Sequence, residues 1–441
     1  MLLLMLFLCL KKIKISSLAA FIGGITMDNH SIETNLSTWM SSARNDEEFL
    51  NAIKKIDFNL CLHVTDLNIN VYLNICQNYQ QPLVATQVSI SASIEAWGNV
   101  LQGFPKPGFQ SFTAIINNPS MFEVREDIEF SISRAMAAIE RIFEINHSSI
   151  YKNDNENRIY LTFNGLSSIA GRYKNLCYGQ VSAKIYYEQV GEDNRPAVLF
   201  LHTAGADSRQ YLDVMSCDQL TQEWSCYTFD MPFHGKSTYP NSYEFGEYKL
   251  KLDEYVSCCL SFIETVIGRP TIVVGCSMGA AVCMALAATK TPLISGVVGV
   301  GTPDRSPGRL SPHLDHPAIN ASRYCGSYVR GMMSPTTPLH NKRFASWIYS
   351  QSGPGVYPGD LFFYSNEYNG NLLVDKINST RCPVSLLTGE YDFSAPPEST
   401  ERMYSQLDNA SFKVIKGVGH FPMIEQPTLF LNYLIPELRK F

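Results

Sequence analysis

Thr271-Ile-Val-Val-Gly-Cys-Ser-Met-Gly279 is an apolar, β-branched run that ends in Gly275-x-Ser277-x-Gly279 and passes directly into Ala280-Ala-Val-Cys-Met-Ala-Leu-Ala287, a stretch of helix formers. A strand that turns this sharply into a helix needs residues without side chains beside the turn, because a Cβ would meet neighbouring backbone. Such a turn lifts the central side chain clear of the sheet, so Ser277 is the candidate nucleophile.

Two later segments supply what a serine needs in order to react. Pro383-Val-Ser-Leu-Leu-Thr-Gly-Glu-Tyr-Asp392 is a second buried-strand pattern, and it leads to a turn carrying Asp392. Ser411-Phe-Lys-Val-Ile-Lys416 alternates as a last strand, and Gly417-Val-Gly-His420-Phe-Pro422 then presents a histidine on a glycine-rich loop. A hydroxyl is a weak nucleophile at neutral pH, so a neutral imidazole must accept its proton as the new bond forms. His420 is the expected base. A carboxylate on the far ring nitrogen selects the tautomer and stabilises the transient imidazolium, the role expected of Asp392, with Glu390 as the alternative acid on the same turn.

Upstream, Ala197-Val-Leu-Phe-Leu-His202-Thr-Ala-Gly205 is another apolar strand running into small residues, and Tyr227-Thr-Phe-Asp230-Met-Pro-Phe-His234-Gly-Lys-Ser237 is a strand followed by a turn. These motifs, in the order serine, acid, histidine, resemble the α/β-hydrolase superfamily over residues 178 to 441. The resemblance implies an oxyanion hole made by the backbone N–H groups of Ala204 and Met278. Thr203 stands where many members have glycine, a departure that bears on the shape of this loop. His234 reads as structural, since it follows a different strand from the expected base. An epoxide hydrolase of this fold would carry aspartate at the elbow, where this chain has Ser277.

Length and composition agree with two units. At 441 residues the chain exceeds one average domain, and 45% hydrophobic with 17% charged residues describes a globular protein with a large core. A formal net charge of -6 and the lack of a long basic run argue against a nucleic-acid partner. The twelve cysteines are scattered without a Cys-x-x-Cys pair, as reduced core residues of an intracellular protein would be. No cofactor or metal is called for.

Residues 1–29 form an apolar leader, with Met27 a plausible start of the folded chain. Met1 to Leu10 is too short to cross a bilayer as a helix, and Lys11, Lys12 and Lys14 follow the run where a secretory signal would have them first. Membrane anchoring is thus the lesser alternative to a cytoplasmic or peroxisomal location, although Arg439-Lys-Phe441 matches a peroxisomal Ser-Lys-Leu tail only in its basic middle residue. Residues 30–150 predict a smaller α+β domain: Asp66 to Asn74 and Ala85 to Ser91 alternate as strands, Ser93 to Leu101 has helical spacing around Trp97, and Ile128 to Glu144 is a longer amphipathic helix. This order faintly resembles the sterol-carrier-protein-like lipid-binding fold, and an accessory or dimerisation unit without ligand is the alternative. Residues 151–177 read as a linker and 178–441 as the hydrolase domain.

About eighty residues separate Ile294-Ser-Gly-Val-Val-Gly-Val300 from the strand near Pro383. Residues 302–380 are read as a helical cap rich in aromatic and sulphur side chains, among them Tyr324, Tyr328, Met332, Trp347 and Tyr364. Such a cap predicts an apolar pocket over Ser277 for an acyl or polyketide-like chain. The expected architecture is therefore an α/β-hydrolase fold with a helical cap, preceded by a smaller α+β domain. The expected activity is ester or thioester hydrolysis through an acyl-enzyme, with a small-molecule acyl substrate as partner; acyl transfer by the same residues, or a non-catalytic lipid-binding protein, are the alternatives. The layout is similar to fungal secondary-metabolism hydrolases of the AK-toxin type, which implies toxin biosynthesis in a peroxisome. The sequence carries no mark of an oligomeric state.

Overall fold

Two sheets organise the chain in the computed structural model, which describes residues 29–76, 84–147, 168–244, 248–309, 312–379 and 381–441. The leader thus lies outside the described residues, apart from its last residue, Asn29. The first sheet comprises β1 (Ile56–Val64), β2 (Ile69–Ile75), β3 (Val84–Ala92) and β4 (Phe122–Glu126) in the order β2-β1-β3-β4, with β1 and β3 parallel and both edges antiparallel. Alternation drives it: Phe58, Leu60, Leu62, Val88 and Ile90 all point inward, where the helices Asn29–Ser42 and Ser131–Asn146 cover them. Strand β1 and the helices Asn29–Ser42 and Glu47–Ala52 were not anticipated, although β1 alternates as clearly as its neighbours. Side chains including Trp39, Trp97, Phe112 and Phe143 are buried in the layer between this sheet and its helices.

The second sheet has the order β12-β11-β10-β9-β7-β8-β6-β5, from β5 (Ala170–Tyr178), β6 (Val181–Val190), β7 (Ala197–Leu201), β8 (Ser225–Phe229), β9 (Thr271–Cys276), β10 (Ile294–Val300), β11 (Val384–Gly389) and β12 (Ser411–Ile415). The six strands from β12 to β8 are parallel, and β6 and β5 close one edge antiparallel. Every residue of β7, β9 and β11 is buried, which is why these strands read as continuous apolar runs. The expected linker is corrected at its end. Residues 170–177 belong to β5, whose polar Arg172, Lys174 and Asn175 face outward at the sheet edge and hide the strand signal.

Residues between β10 and β11 form the cap, with helices Ala321–Gly331, Leu339–Tyr349 and Val356–Phe362. The cap is held from both sides, because Tyr324, Cys325 and Leu361 share the hydrophobic core of the N-terminal sheet. A buried ionic cluster reinforces that contact: Arg330 of the cap binds Glu144 and Glu48, and Arg141 binds Asp46 and Glu144. Burial alone would raise the Glu144 pKa, but Arg330, Lys342 and Arg141 hold it below the usual value.

Glu140, one turn away, has no arginine. Burial, assisted by the charge of Glu144, pushes its pKa up to about 7 while it accepts hydrogen bonds from Thr113 N at 3.0 Å and Thr113 Oγ1 at 2.9 Å. Between about pH 4.5 and 7 the folded protein therefore holds a proton that the unfolded chain has released, so this group's contribution to stability falls as pH rises. Glu140→Gln resembles the protonated form at every pH. The stability of the variant relative to the native protein should grow by about 2–3 kcal/mol from pH 5 to pH 8. Denaturant melts at the two pH values measure it, and a gap independent of pH would contradict it.

Candidate active site

The chain direction reverses its build between β7 and β9, so the loops after these neighbouring strands open a crevice at the carboxyl edge of the sheet. The turn after β9 is as tight as its glycines suggest: a Cβ on Gly275 would lie 2.3 Å from the Gly279 backbone, and one on Gly279 2.5 Å from the Leu201 carbonyl oxygen. Ser277 itself holds φ 57° and ψ -113°, a conformation costly to a side-chain-bearing residue and kept here by its surroundings. Its N–H donates to Val300 O at 2.9 Å, and its carbonyl accepts from Ala281 N at 2.9 Å as the helix Met278–Ala288 begins.

The structure brings Ser277, His420 and Asp392 together. Ser277 Oγ lies 2.8 Å from His420 Nε2, and His420 Nδ1 lies 2.7 Å from Asp392 Oδ2. The other oxygen of Asp392 accepts from Ser394 N at 2.9 Å and Ala395 N at 2.8 Å, which fixes the carboxylate's orientation. With Asp392 as acceptor, Nδ1 carries the proton and Nε2 is free to accept the serine's. Gly301, at φ 57°, leaves space for this pair, since a Cβ there would sit 2.8 Å from Asp392 Oδ2. Glu390 is turned away, bound to Lys416 Nζ and Gly417 N, each at 3.0 Å.

The histidine loop is anchored by a residue the sequence reading did not single out. Buried Glu425 accepts from Gly419 N at 2.8 Å and Phe421 N at 2.9 Å on either side of His420, and from Ser334 N at 2.8 Å and Thr337 Oγ1 at 2.7 Å at the cap. The N-terminal sheet's unit supports the same region: Ser111 Oγ donates to Gly331 O at 2.6 Å, Gln110 Nε2 to Tyr391 O at 3.2 Å, and Tyr391 OH to Pro105 O at 3.0 Å.

Thr203, which departs from the glycine of the expected pattern, uses its extra atoms. Its N–H donates to Gln210 Oε1 at 2.9 Å and its hydroxyl meets that of Tyr349, tying the β7 loop to the cap. Ala204 lines the cavity beside Ser277, and Met278 is buried as the first residue of the helix. His202 accepts from Met231 N at 3.1 Å; burial, with the nearby His234, lowers its pKa to about 4. His234 engages Asp360 Oδ2 at 2.8 Å. Asp360 also accepts from Gly205 N and Tyr248 OH, each at 2.7 Å. Burial alone would lower the His234 pKa, but Asp360 and the Pro232 carbonyl hold it above the usual value. Asp360 thus joins the cap to both the β7 loop and the turn after β8 that carries His234.

The cavity over Ser277 differs from the expected apolar channel. It is narrow, with about 30 Å3 free between its walls. Its walls include Tyr328, Tyr349, Tyr357, Tyr364 and Arg309 as well as Met332 and Leu361. Cap aromatics therefore reach the site with hydroxyls, which composition alone does not reveal. Tyr364 donates to Ser277 Oγ at 2.8 Å, and burial pushes its phenol pKa well above the ordinary value, so it stays a donor. It sits in a single wide π turn, Phe363–Glu367, a local irregularity common where a helix serves a site. Trp347 is half-exposed and stacks over the Arg209 guanidinium at 4.6 Å, away from the cavity walls. No group of three or more His, Cys, Asp or Glu side chains among the described residues is arranged to hold a metal ion. No helix among them is long and apolar enough to cross a membrane, and their cysteines are all free.

Comparison with known proteins finds relatives over about half of the chain. An alpha/beta hydrolase family model matches residues 198–432, more than half of the sequence. A protein of Mycoplasma pneumoniae named "Putative esterase/lipase 2" is 24% identical over 257 residues, 54% of this chain and 86% of that protein. Protein NDRG2 of Danio rerio is 24% identical over 261 residues, 54% of this chain and 66% of its own length. Among solved structures, a hydrolase from Pseudomonas aeruginosa superposes with a TM-score of 0.53 at 16% identity, covering 61% of this chain and 99% of that one.

Proposed function

The chain belongs to the alpha/beta hydrolase family, and from that premise we propose that it is a serine hydrolase that cleaves a compact carboxylic ester or thioester through an acyl-enzyme. The observation that carries this reading is the unbroken series Ser277 Oγ, His420 Nε2, His420 Nδ1, Asp392 Oδ2, with both links under 3 Å. Oxygen has two lone pairs: one accepts from Tyr364, and the other attacks the carbonyl carbon as the hydroxyl proton passes to His420. The N–H groups of Ala204 and Met278 receive the oxyanion. His420 then protonates the leaving group, and water activated by the same imidazole releases the acid. Transfer to an alcohol or a role in toxin biosynthesis would use the same serine, and no residue of the cavity selects either.

The small cavity adds a size limit that the sequence did not suggest. We expect kcat/KM on p-nitrophenyl esters to fall from acetate to decanoate, because each methylene that must be accommodated against closed walls is worth about 1–3 kcal/mol of discrimination. A panel of chain lengths measures this. Rates rising steadily to the longest chain would point to the acyl channel expected from the sequence.

A further inference from the structure

We propose that Arg309 is the binding site for a carboxylate carried by the substrate, so that the ester cleaved at Ser277 is an anionic one; this deepens the serine-hydrolase reading and rests on it. Arg309 is half-buried in the wall of the cavity that also holds Ser277 and His420. Its Nη2 donates to the backbone oxygen of Ser394 at 2.6 Å and to Ser394 Oγ at 2.9 Å. Ser394 N in turn donates to Asp392, so the guanidinium is held in position by the same turn that holds the acid. Those bonds use one edge of a group with five N–H donors.

What Arg309 lacks is a counter-ion. Arg209, Arg330 and Arg402 each hold a carboxylate, but among the described residues none pairs with Arg309, in a chain of net charge -6. A charge removed from water without a partner is unfavourable. Arg269 and Arg323 also meet only backbone carbonyls among the described residues, but neither lines this cavity; beside Ser277 a planar fork suits a carboxylate by two parallel hydrogen bonds. The charge of Arg309 also acts on Tyr357 and on Tyr364, which touches the nucleophile. Ser306 adds a hydroxyl to the same cavity. The limited volume favours a short dicarboxylic monoester over a long acyl chain.

Two esters of similar size test this, p-nitrophenyl valerate and mono-p-nitrophenyl glutarate. The ratio of kcat/KM, anionic over neutral, is expected to exceed one in the native protein and to fall about 10- to 100-fold in Arg309→Met, the range of a charge-assisted hydrogen bond. Arg309→Lys, which keeps the charge without the fork, should lie between the two. An equal fall on both esters, or a ratio that does not move, overturns the inference. Sodium glutarate should raise the melting temperature of the native protein above that in sodium chloride of equal ionic strength, and not that of Arg309→Met. Equal shifts in both, or none in either, overturn it without reference to turnover. Fluorophosphonate labelling separates the two readings: labelling at Ser277 without charge preference refutes the carboxylate site alone, whereas absence of labelling refutes the serine-hydrolase reading.

Discussion

Ser277→Ala is expected to abolish labelling by a fluorophosphonate and to lower kcat on a short ester by about 10^4- to 10^6-fold, the loss that follows removal of a triad nucleophile. The substitution is conservative for the fold. It removes one oxygen from a buried position, leaves the backbone bonds to Val300 and Ala281 in place, and asks no new conformation of a residue already at φ 57°. Loss of activity with an unchanged melting temperature would therefore locate the chemistry in the hydroxyl. Mass spectrometry of the labelled native protein should find the adduct on the peptide containing Ser277. Labelling that survives in the alanine variant would remove this serine from the mechanism.

Asp392→Asn is expected to lower kcat by about 10^4-fold while the protein remains folded. The structure supplies the reason. Asp392 Oδ1 accepts from Ser394 N and Ala395 N, so an amide at this position must keep its oxygen there and turn its NH2 toward His420 Nδ1. Nδ1 must then accept, the proton moves to Nε2, and the imidazole can no longer take one from Ser277. Glu390→Gln is the control. Its carboxylate pairs with exposed Lys416 at the protein surface, a contact worth about 0–1 kcal/mol, and the rate should stay within roughly twofold. The reverse pattern would assign the acid to Glu390.

These expectations differ in how much of them was legible in the chain. The elbow, the two strands leading to Asp392 and His420, and the β7 loop were readable because each is local: a buried parallel strand must be continuously apolar, and a turn at its carboxyl end must be small or carry the functional residue. Edge strand β5 was missed because residues 171–175 are all exposed and its sequence is accordingly polar. Glu425 and Asp360 were not found because a buried carboxylate is recognised by the N–H and O–H groups around it, and most of those come from segments 88 to 155 residues distant.

From the sequence alone follow the order of strands and turns that makes an α/β-hydrolase fold and the chemical types of its three central residues, since both depend on hydrophobic periodicity and on backbone sterics within short windows. The contents of the cavity were decided only by tertiary structure. Whether Tyr364 reaches Ser277, whether Trp347 faces solvent, and whether Arg309 meets a carboxylate depend on how the cap is pressed between two sheets by the Arg330 cluster and Asp360. Composition had suggested an apolar channel because it counts tyrosine rings; packing determined that their hydroxyls, and the guanidinium of Arg309, line the site.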